Sequence, residues 1–395
     1  MRVCIDARLE PGEAGGVVQA VLGLAHGLSK LDHGADEYRL LVRPGRGEWL
    51  RPYIGRLQLL EAVRPDAPPS RPSLRARLEW RLRRGDGILP PTKGVAEAFG
   101  ADVVHLPTQQ GFSTPIPTLY HPWDLQHVHY PEFFEDGDRT HRDRLYRALC
   151  RQARVVVAPT RWAAEDLISN LRVPRRKIAV IPGASPLSVY GDPGASDVGP
   201  HTPESFVLFP AQTWPHKNHL GLVEALGLLA RHGLRIPAVC PGRLTELHPR
   251  IAVRAQELGV DVRFPGHLVG VELATLYERA RTLVFPSLFE GWGFPILEAF
   301  SFGLPVVCSN APSLREVVGG AAVTFDPTRP EELAAVLRRV WTDEGLRREL
   351  GERGRRRSRE FSWERTARIC RAHYRKLAGG RLGEEDRELV RAAAA

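Results

Sequence analysis

The sequence predicts an α/β protein of two doubly wound, Rossmann-like domains facing across a cleft, and three observations predict it. Short β-branched apolar runs alternate with helix-patterned segments along all 395 residues. Most of those runs are almost continuously apolar, as parallel strands covered on both faces are. A stretch rich in Pro, Gly and Ser, 185–205, interrupts the alternation without any periodicity of its own. The length also exceeds what one ordinary core supports.

In chain order, strands are expected at 2–6, 38–42, 102–106, 117–120, 154–158 and 178–181. After the interruption they are expected at 206–209, 236–240, 261–264, 282–285, 305–308 and 322–325. Helical patterns fill 17–30, 160–170, 217–231, 271–280, 331–341 and 343–357. The domains this implies are 1–190 and 204–378. A tail helix over 362–377 carries Trp363, Ile369, Cys370, Tyr374 and Leu377, and the fold allows it to pack back on the first domain. The last residues look frayed.

Composition excludes several classes. Hydrophobic content of 43% and charged content of 26% fit a globular chain rather than a disordered one. No apolar run reaches membrane-spanning length and no signal-peptide pattern is present, so a cytoplasmic protein is expected. Five scattered cysteines, never spaced C-x-x-C, read as buried free thiols in a reducing compartment rather than a zinc site. A net charge of +9 favours anionic partners, with an arginine-rich coding bias as the plainer reading of equal weight. The segment 71–85, RPSLRARLEWRLRRG, combines six arginines with leucines at 74, 78 and 82. Such a helix can lie on an anionic bilayer, here the inner membrane face, although arginine-coated surface helices are commoner.

In parallel α/β sheets ligands bind outside the carboxyl ends of the strands. One strand end stands out, FEGWGFPILEAF at 289–300. It follows the strand Leu283-Val284-Phe285, and Pro295 suits the first turn of a helix that stops at Gly303. Glu290 then lies in the loop and Glu298 in or just past the first helical turn. Gly291 and Gly293 let backbone approach a ligand, and the amides near Phe294, Ile296 and Leu297 form a helix N-terminus suited to phosphate. One carboxylate would grip sugar hydroxyls and the other ribose hydroxyls. The bland alternative is two surface glutamates around a buried Trp292.

Other strand ends carry weaker signals. Gly15 and Gly16 open a helix after the first strand and can bring amides to a phosphate, although most Gly-Gly pairs are mere loops. Lys217 follows strand 206–209 and can neutralise a diphosphate leaving group. Between 94 and 375 the only lysines are Lys177 and Lys217. YHPWDLQHVHYPEFF, 120–134, places His121, Asp124, His127 and His129 after strand 117–120. Their loose spacing argues against a metal, and packing around Tyr130 and Phe133 is the plain reading of His127 and His129.

The segment 261–341, with FPAQTWPHKNHLGLVEAL at 209–226 and YHPWDLQHVHYPEFF, resembles retaining GT-B glycosyltransferases. The family is the large one that includes glycogen synthases, sucrose synthases and bacterial mannosyltransferases, the family 4 type. The resemblance implies an acceptor-binding first domain and a nucleotide-sugar-binding second domain. It implies metal-independent transfer, with no cofactor beyond a GDP-, UDP- or dTDP-linked sugar donor and with GDP-mannose leading. It implies that Gly16 and its neighbour Gly15, Thr213, Lys217, His267 and Leu268 contact the donor. The run Glu290, Gly291, Trp292, Gly293, Phe294, Pro295, Ile296 and Glu298 would complete that site. Glu290, Lys217, Asp124 and His121 would be the catalytic set. The chain departs from the family in two places. It has Ala211-Gln212-Thr213-Trp214 where an Arg is usual, and Trp123 where a His is expected before Asp124, so His121 or His127 would take that role. A glycan, lipid-linked or small-molecule acceptor is implied, and no nucleic acid. A nucleotide-sugar epimerase, a phosphorylase on the same fold and a catalytically silent nucleotide-sugar-binding subunit are the rivals. A phosphorylase would need a pyridoxal-phosphate lysine, for which the sequence gives no signal.

Overall fold

The structure, a computed structural model, describes residues 1–10, 15–31, 36–63, 88–90, 94–185, 202–268 and 270–395. The basic segment 71–85 and most of the linker lie outside the described residues. The chain forms two compact units, Met1–Pro182 with Trp363–Ala395, and Gly183–Ser362. The tail helix therefore belongs to the first unit, and the second ends at Ser362 rather than at 378.

The first unit is built on a seven-stranded sheet in the order β3-β2-β1-β4-β5-β6-β7. Its strands are β1 (Arg2–Asp6), β2 (Glu37–Val42), β3 (Gln58–Ala62), β4 (Val103–Leu106), β5 (Thr118–Tyr120), β6 (Val155–Ala158) and β7 (Ile178–Val180). Every pairing is parallel. Successive β1 residues feed opposite faces of the sheet. Val3 and Ile5 pack with Leu24, Leu28, Ala367 and Tyr374, whereas Cys4 packs with Val104, Leu106 and Leu149. Burial on both faces explains the unbroken apolar runs. β3 escapes sequence reading because it is an edge strand, with Leu59 55% exposed and only one neighbour to cover it.

The helices Gly16–Ser29 and Trp363–Leu377 meet closely through two glycines four residues apart. A Cβ on Gly23 would fall 1.9 Å from the Trp363 ring, and one on Gly27 2.2 Å from the Trp363 carbonyl oxygen. The terminus is not frayed. A further helix, Glu384–Ala392, leads to Ala393, whose carbonyl accepts from the Val180 amide at 2.7 Å, and Ala394 bridges Ala179. The chain end thereby pairs with the outer edge of β7.

The second unit repeats the scheme with six parallel strands in the order β10-β9-β8-β11-β12-β13. These are β8 (Val207–Leu208), β9 (Ala238–Val239), β10 (Val262–Arg263), β11 (Thr282–Phe285), β12 (Val306–Ser309) and β13 (Val323–Phe325). Strand order reverses between β8 and β11, so a crevice opens outside their carboxyl ends. All five cysteines are buried and unbonded. Burial pushes the thiols of Cys4, Cys150, Cys308 and Cys370 up to about 12, which leaves them inert.

Candidate functional site

The loops after β8 and β11 are locked together at that reversal point. Pro215–Lys217 forms a 3₁₀ turn, so Lys217 precedes the helix His219–Arg231 instead of starting it. Asn218 adopts a left-handed conformation (φ 61°), and its Oδ1 accepts from the Gly221 amide to cap that helix. Its Nδ2 donates to the carbonyls of Pro286, at 3.1 Å, and Pro327, at 2.8 Å. The Leu288 amide donates to the His216 carbonyl at 2.8 Å. These bonds fix Lys217 against the loop that carries Glu290. The result is an ion pair, Lys217 Nζ to Glu290 Oε1 at 2.6 Å, with the side chains only 19% and 11% exposed. Ser313 Oγ donates to the Glu290 carbonyl at 2.5 Å. Thr213 is buried and its hydroxyl accepts from the Thr245 amide at 2.7 Å, which ties the β8 loop to the β9 loop.

The chain enters the helix Phe294–Phe302 through Gly293 at φ 106°, where a Cβ would also fall 2.8 Å from Leu314. Only glycine fits there. The helix starts one residue earlier than expected and closes on Gly303 at φ 68°. The Ile296 amide already donates to the Gly293 carbonyl at 3.1 Å, so it is not among the donors available to a phosphate. Trp292 is buried, edge-on to Phe361 at 5.4 Å, and Gly291 is buried with it. His267 is exposed and Leu268 half-buried in the loop after β10, at the same carboxyl-end side of the sheet.

Glu298 does not share a surface position with Glu290. It is 5% exposed, and its Oε2 accepts from the phenol of Tyr277, a fully buried residue of the helix Val271–Arg279. Burial pushes the Glu298 carboxyl up to about 7, and the phenol pulls the other way. Neither glutamate is the surface residue of the bland reading.

The remaining expected groups lie in the first unit. Gly15 caps the helix after β1 with φ 45°, and Gly16 begins it. His121 follows β5, and its ring stacks on His105 at 4.7 Å. His105 Nδ1 is hydrogen-bonded to Tyr374 Oη at 2.5 Å. Burial holds His121 down at about 3, so its ring is neutral and can exchange hydrogen bonds but carries no charge at neutral pH. Trp123 sits at φ 67° with its indole N–H donated to the Pro107 carbonyl at 2.8 Å. Asp124 Oδ1 accepts from the Gln126 amide at 3.1 Å. His127 turns away against Tyr146, ring to ring at 5.1 Å, and His129 pairs with Asp166 at 2.7 Å. His121 is therefore the histidine that accompanies Trp123, with the rings 5.5 Å apart. Among the described residues no three His, Cys, Asp or Glu side chains are arranged to hold a metal. Asn218, Tyr277, Thr245 and Ser313 were not expected. Each acts through a tertiary hydrogen bond that leaves no local pattern, although a left-handed Asn before a helix is a known cap.

Comparisons with known proteins bear on the family and the fold. Residues 14–187 match the family described as Glycosyltransferase Family 4, and residues 196–357 match Glycosyl transferases group 1. The O-antigen chain mannosyltransferase B of Escherichia coli is 36% identical over 165 residues, 41% of this chain and 43% of that one. The serotype-specific mannosyltransferase WbdA of Escherichia coli is 34% identical over 180 residues, 44% of this chain and 22% of that one. The matches thus span less than half the length of these curated relatives. The solved structure of Anabaena HepE in complex with UDP and glucose shares the fold, with a TM-score of 0.71 at 18% identity over 95% of this chain and 100% of that one.

Proposed function

The chain belongs to the GT-B glycosyltransferases of the family 4 type, and from that premise we propose that it moves a sugar from a nucleotide-sugar donor to a hydroxyl acceptor with retention of anomeric configuration. The observation that carries the proposal is the ion pair of Lys217 with Glu290 at the strand-order reversal, where an α/β sheet binds its ligand. Mannose from GDP-mannose is the leading donor because mannosyltransferases are among the sequence relatives.

The chemistry follows from the charges. The bond from the anomeric carbon to the diphosphate oxygen breaks, and the leaving oxygen gains negative charge. Lys217 Nζ neutralises that charge, and the backbone amides at the start of Phe294–Phe302 that remain available assist. The acceptor hydroxyl forms the new bond on the face the diphosphate has left, and a donor phosphate oxygen takes the hydroxyl proton. Glu290 orients the sugar hydroxyls, and Glu298 receives those of the ribose. No step in this sequence asks for a divalent cation.

The direct test measures thermal shifts against GDP-mannose, UDP-glucose and dTDP-glucose, then follows nucleoside diphosphate release with and without candidate acceptors. Binding of one donor and acceptor-dependent release support transfer. Donor turnover without any acceptor points to the epimerase reading, and binding without turnover to the silent subunit. Transfer is expected to survive EDTA. Loss with EDTA and recovery with Mg²⁺ or Mn²⁺ overturns the metal-independent mechanism.

A further inference from the structure

We propose that Tyr277 is a positioning residue for donor recognition: its phenol, by donating to Glu298 Oε2, fixes the carboxylate so that Oε1 accepts from the ribose hydroxyls. The inference rests on the glycosyltransferase reading and names a residue that the reading itself does not need.

Three observations carry it. First, Glu298 is buried yet lacks a cation. Among the described residues its side chain has one hydrogen-bond partner, Tyr277, and Oε1 has none. Oε1 has no donor from the protein and is not sealed from solvent, so it is open to a donor that arrives from outside. Second, Tyr277 has no freedom to release its grip. It is 1% exposed, and its ring stacks on Phe302 at 5.7 Å with the planes 4° apart. The two rings bridge the helices that carry Tyr277 and Glu298. Third, the charged neighbours are committed elsewhere. Arg355, from the helix Glu344–Ser358 that packs on Phe294–Phe302, donates to the Phe302 carbonyl, and Glu290 is bonded to Lys217.

A pH dependence follows. Two ribose hydroxyls are accepted best by an ionised carboxylate, and burial pushes Glu298 up to about 7 while Tyr277 restrains it. Donor affinity is therefore full above that point and declines as pH falls through it. Removing the phenol removes the restraint and moves the decline to higher pH.

The test is calorimetric titration of GDP-mannose into the full-length wild type, Tyr277→Phe and Glu298→Gln between pH 5.5 and 8.5. GDP-mannose has no phosphate monoester to ionise in that window. Tyr277→Phe should weaken binding about tenfold at pH 7, equivalent to about 1.4 kcal/mol, and recover towards wild type at pH 8.5. Its donor KM should rise with kcat unchanged. Glu298→Gln should bind weakly at every pH. If Tyr277→Phe keeps the wild-type pH midpoint, or loses the same factor at all pH values, the tyrosine is merely structural and the inference is wrong. If GDP-mannose, UDP-glucose and dTDP-glucose all fail to bind the wild type, the glycosyltransferase reading falls first and takes the inference with it.

Discussion

Lys217 and Glu290 stand 73 residues apart in sequence and share one hydrogen bond. Their pairing makes the two substitutions unequal. Glu290→Gln keeps a neutral acceptor for Lys217, so folding should change little. A charged contact to the reacting sugar is lost, and kcat should fall about 10²–10³-fold. Lys217→Ala leaves a carboxylate 11% exposed with no cation, so both thermal stability and nucleotide affinity should drop. Measuring melting temperature beside kcat separates them, and equal losses of stability in both variants would contradict this assignment. Glu298 gives a second residue-scale prediction. Its folded carboxyl sits at about 7, above the usual 4.5. The folded state therefore binds more protons than the unfolded state between those values, and stability falls as pH rises through that window. The loss is on the order of 3 kcal/mol and is complete above pH 7. Burial holds His121, His127, His219 and His373 neutral, and their linkage raises stability with pH over the same window. The check is therefore a difference: between pH 5 and pH 8 the change in stability of wild type and of Glu298→Gln, by chemical denaturation, should differ by about that amount. The sequence exposed Lys217 and Glu290 because strand ends and glycines flag them locally. It could not expose the bond from Tyr277 to Glu298, because helix packing alone brings those residues together.

Elements were readable where their burial pattern was uniform. The strands buried on both faces and the apolar helices emerged within a few residues of their observed bounds. The helix Asp136–Gln152 did not, because its sequence DGDRTHRDRLYRALCRQ buries only Leu145, Tyr146, Leu149 and Cys150 and is otherwise charged. The arginine content also gains an explanation at this scale. In the helix Glu344–Ser358, Arg347 donates to the Val340 and Trp341 carbonyls, Arg355 to Phe302 and Arg357 to Glu316 and Val317. These carbonyls close the helices Pro330–Thr342, Phe294–Phe302 and Pro312–Val318. One helix thus caps three others, and part of the positive charge is structural. Between the helices Gly16–Ser29 and Trp363–Leu377 the decisive feature is the absence of a side chain. Gly23→Ala would drive a methyl into the Trp363 ring, at a cost of about 3 kcal/mol or more. Gly45→Ala, at φ 69° with no atom within 4 Å of the added carbon, should cost about 1–2 kcal/mol through backbone conformation alone. Equal destabilisation of the two variants would show that the helix contact tolerates the methyl.

At the scale of the whole molecule, the first unit is discontinuous. The interruption at 185–205 marks one boundary in the sequence, and the return of the tail helix over 362–377 to the first domain is expected there as a possibility of the fold. No change in composition marks where the second unit ends, at Ser362. The returning segment is part of the core. Ala367, Ile369, Cys370 and Tyr374 join the cluster of Val3, Ile5, Leu24 and Leu28, and Trp363 covers Gly23 and Gly27. Arg375 reaches back to Asp36 at 3.3 Å, and the chain end pairs with β7. Burying each large apolar side chain contributes about 1.5–3 kcal/mol. Losing four or five of them approaches the whole stability of a domain, about 5–15 kcal/mol. A chain ending at Ser362 should therefore lose the fold of 1–182 while 202–362 stays folded, since that unit draws no core residue from the tail. Limited proteolysis of the truncated chain should leave a resistant fragment that begins near the linker. Circular dichroism should fall by the helix and strand content of the first unit. Retention of the full spectrum, with one cooperative transition at the wild-type melting temperature, would mean that the tail only decorates a self-sufficient domain. The same truncation should abolish sugar transfer while leaving the Lys217 and Glu290 pair within its intact unit. Weak nucleotide binding without turnover is the expected signature of the shortened chain.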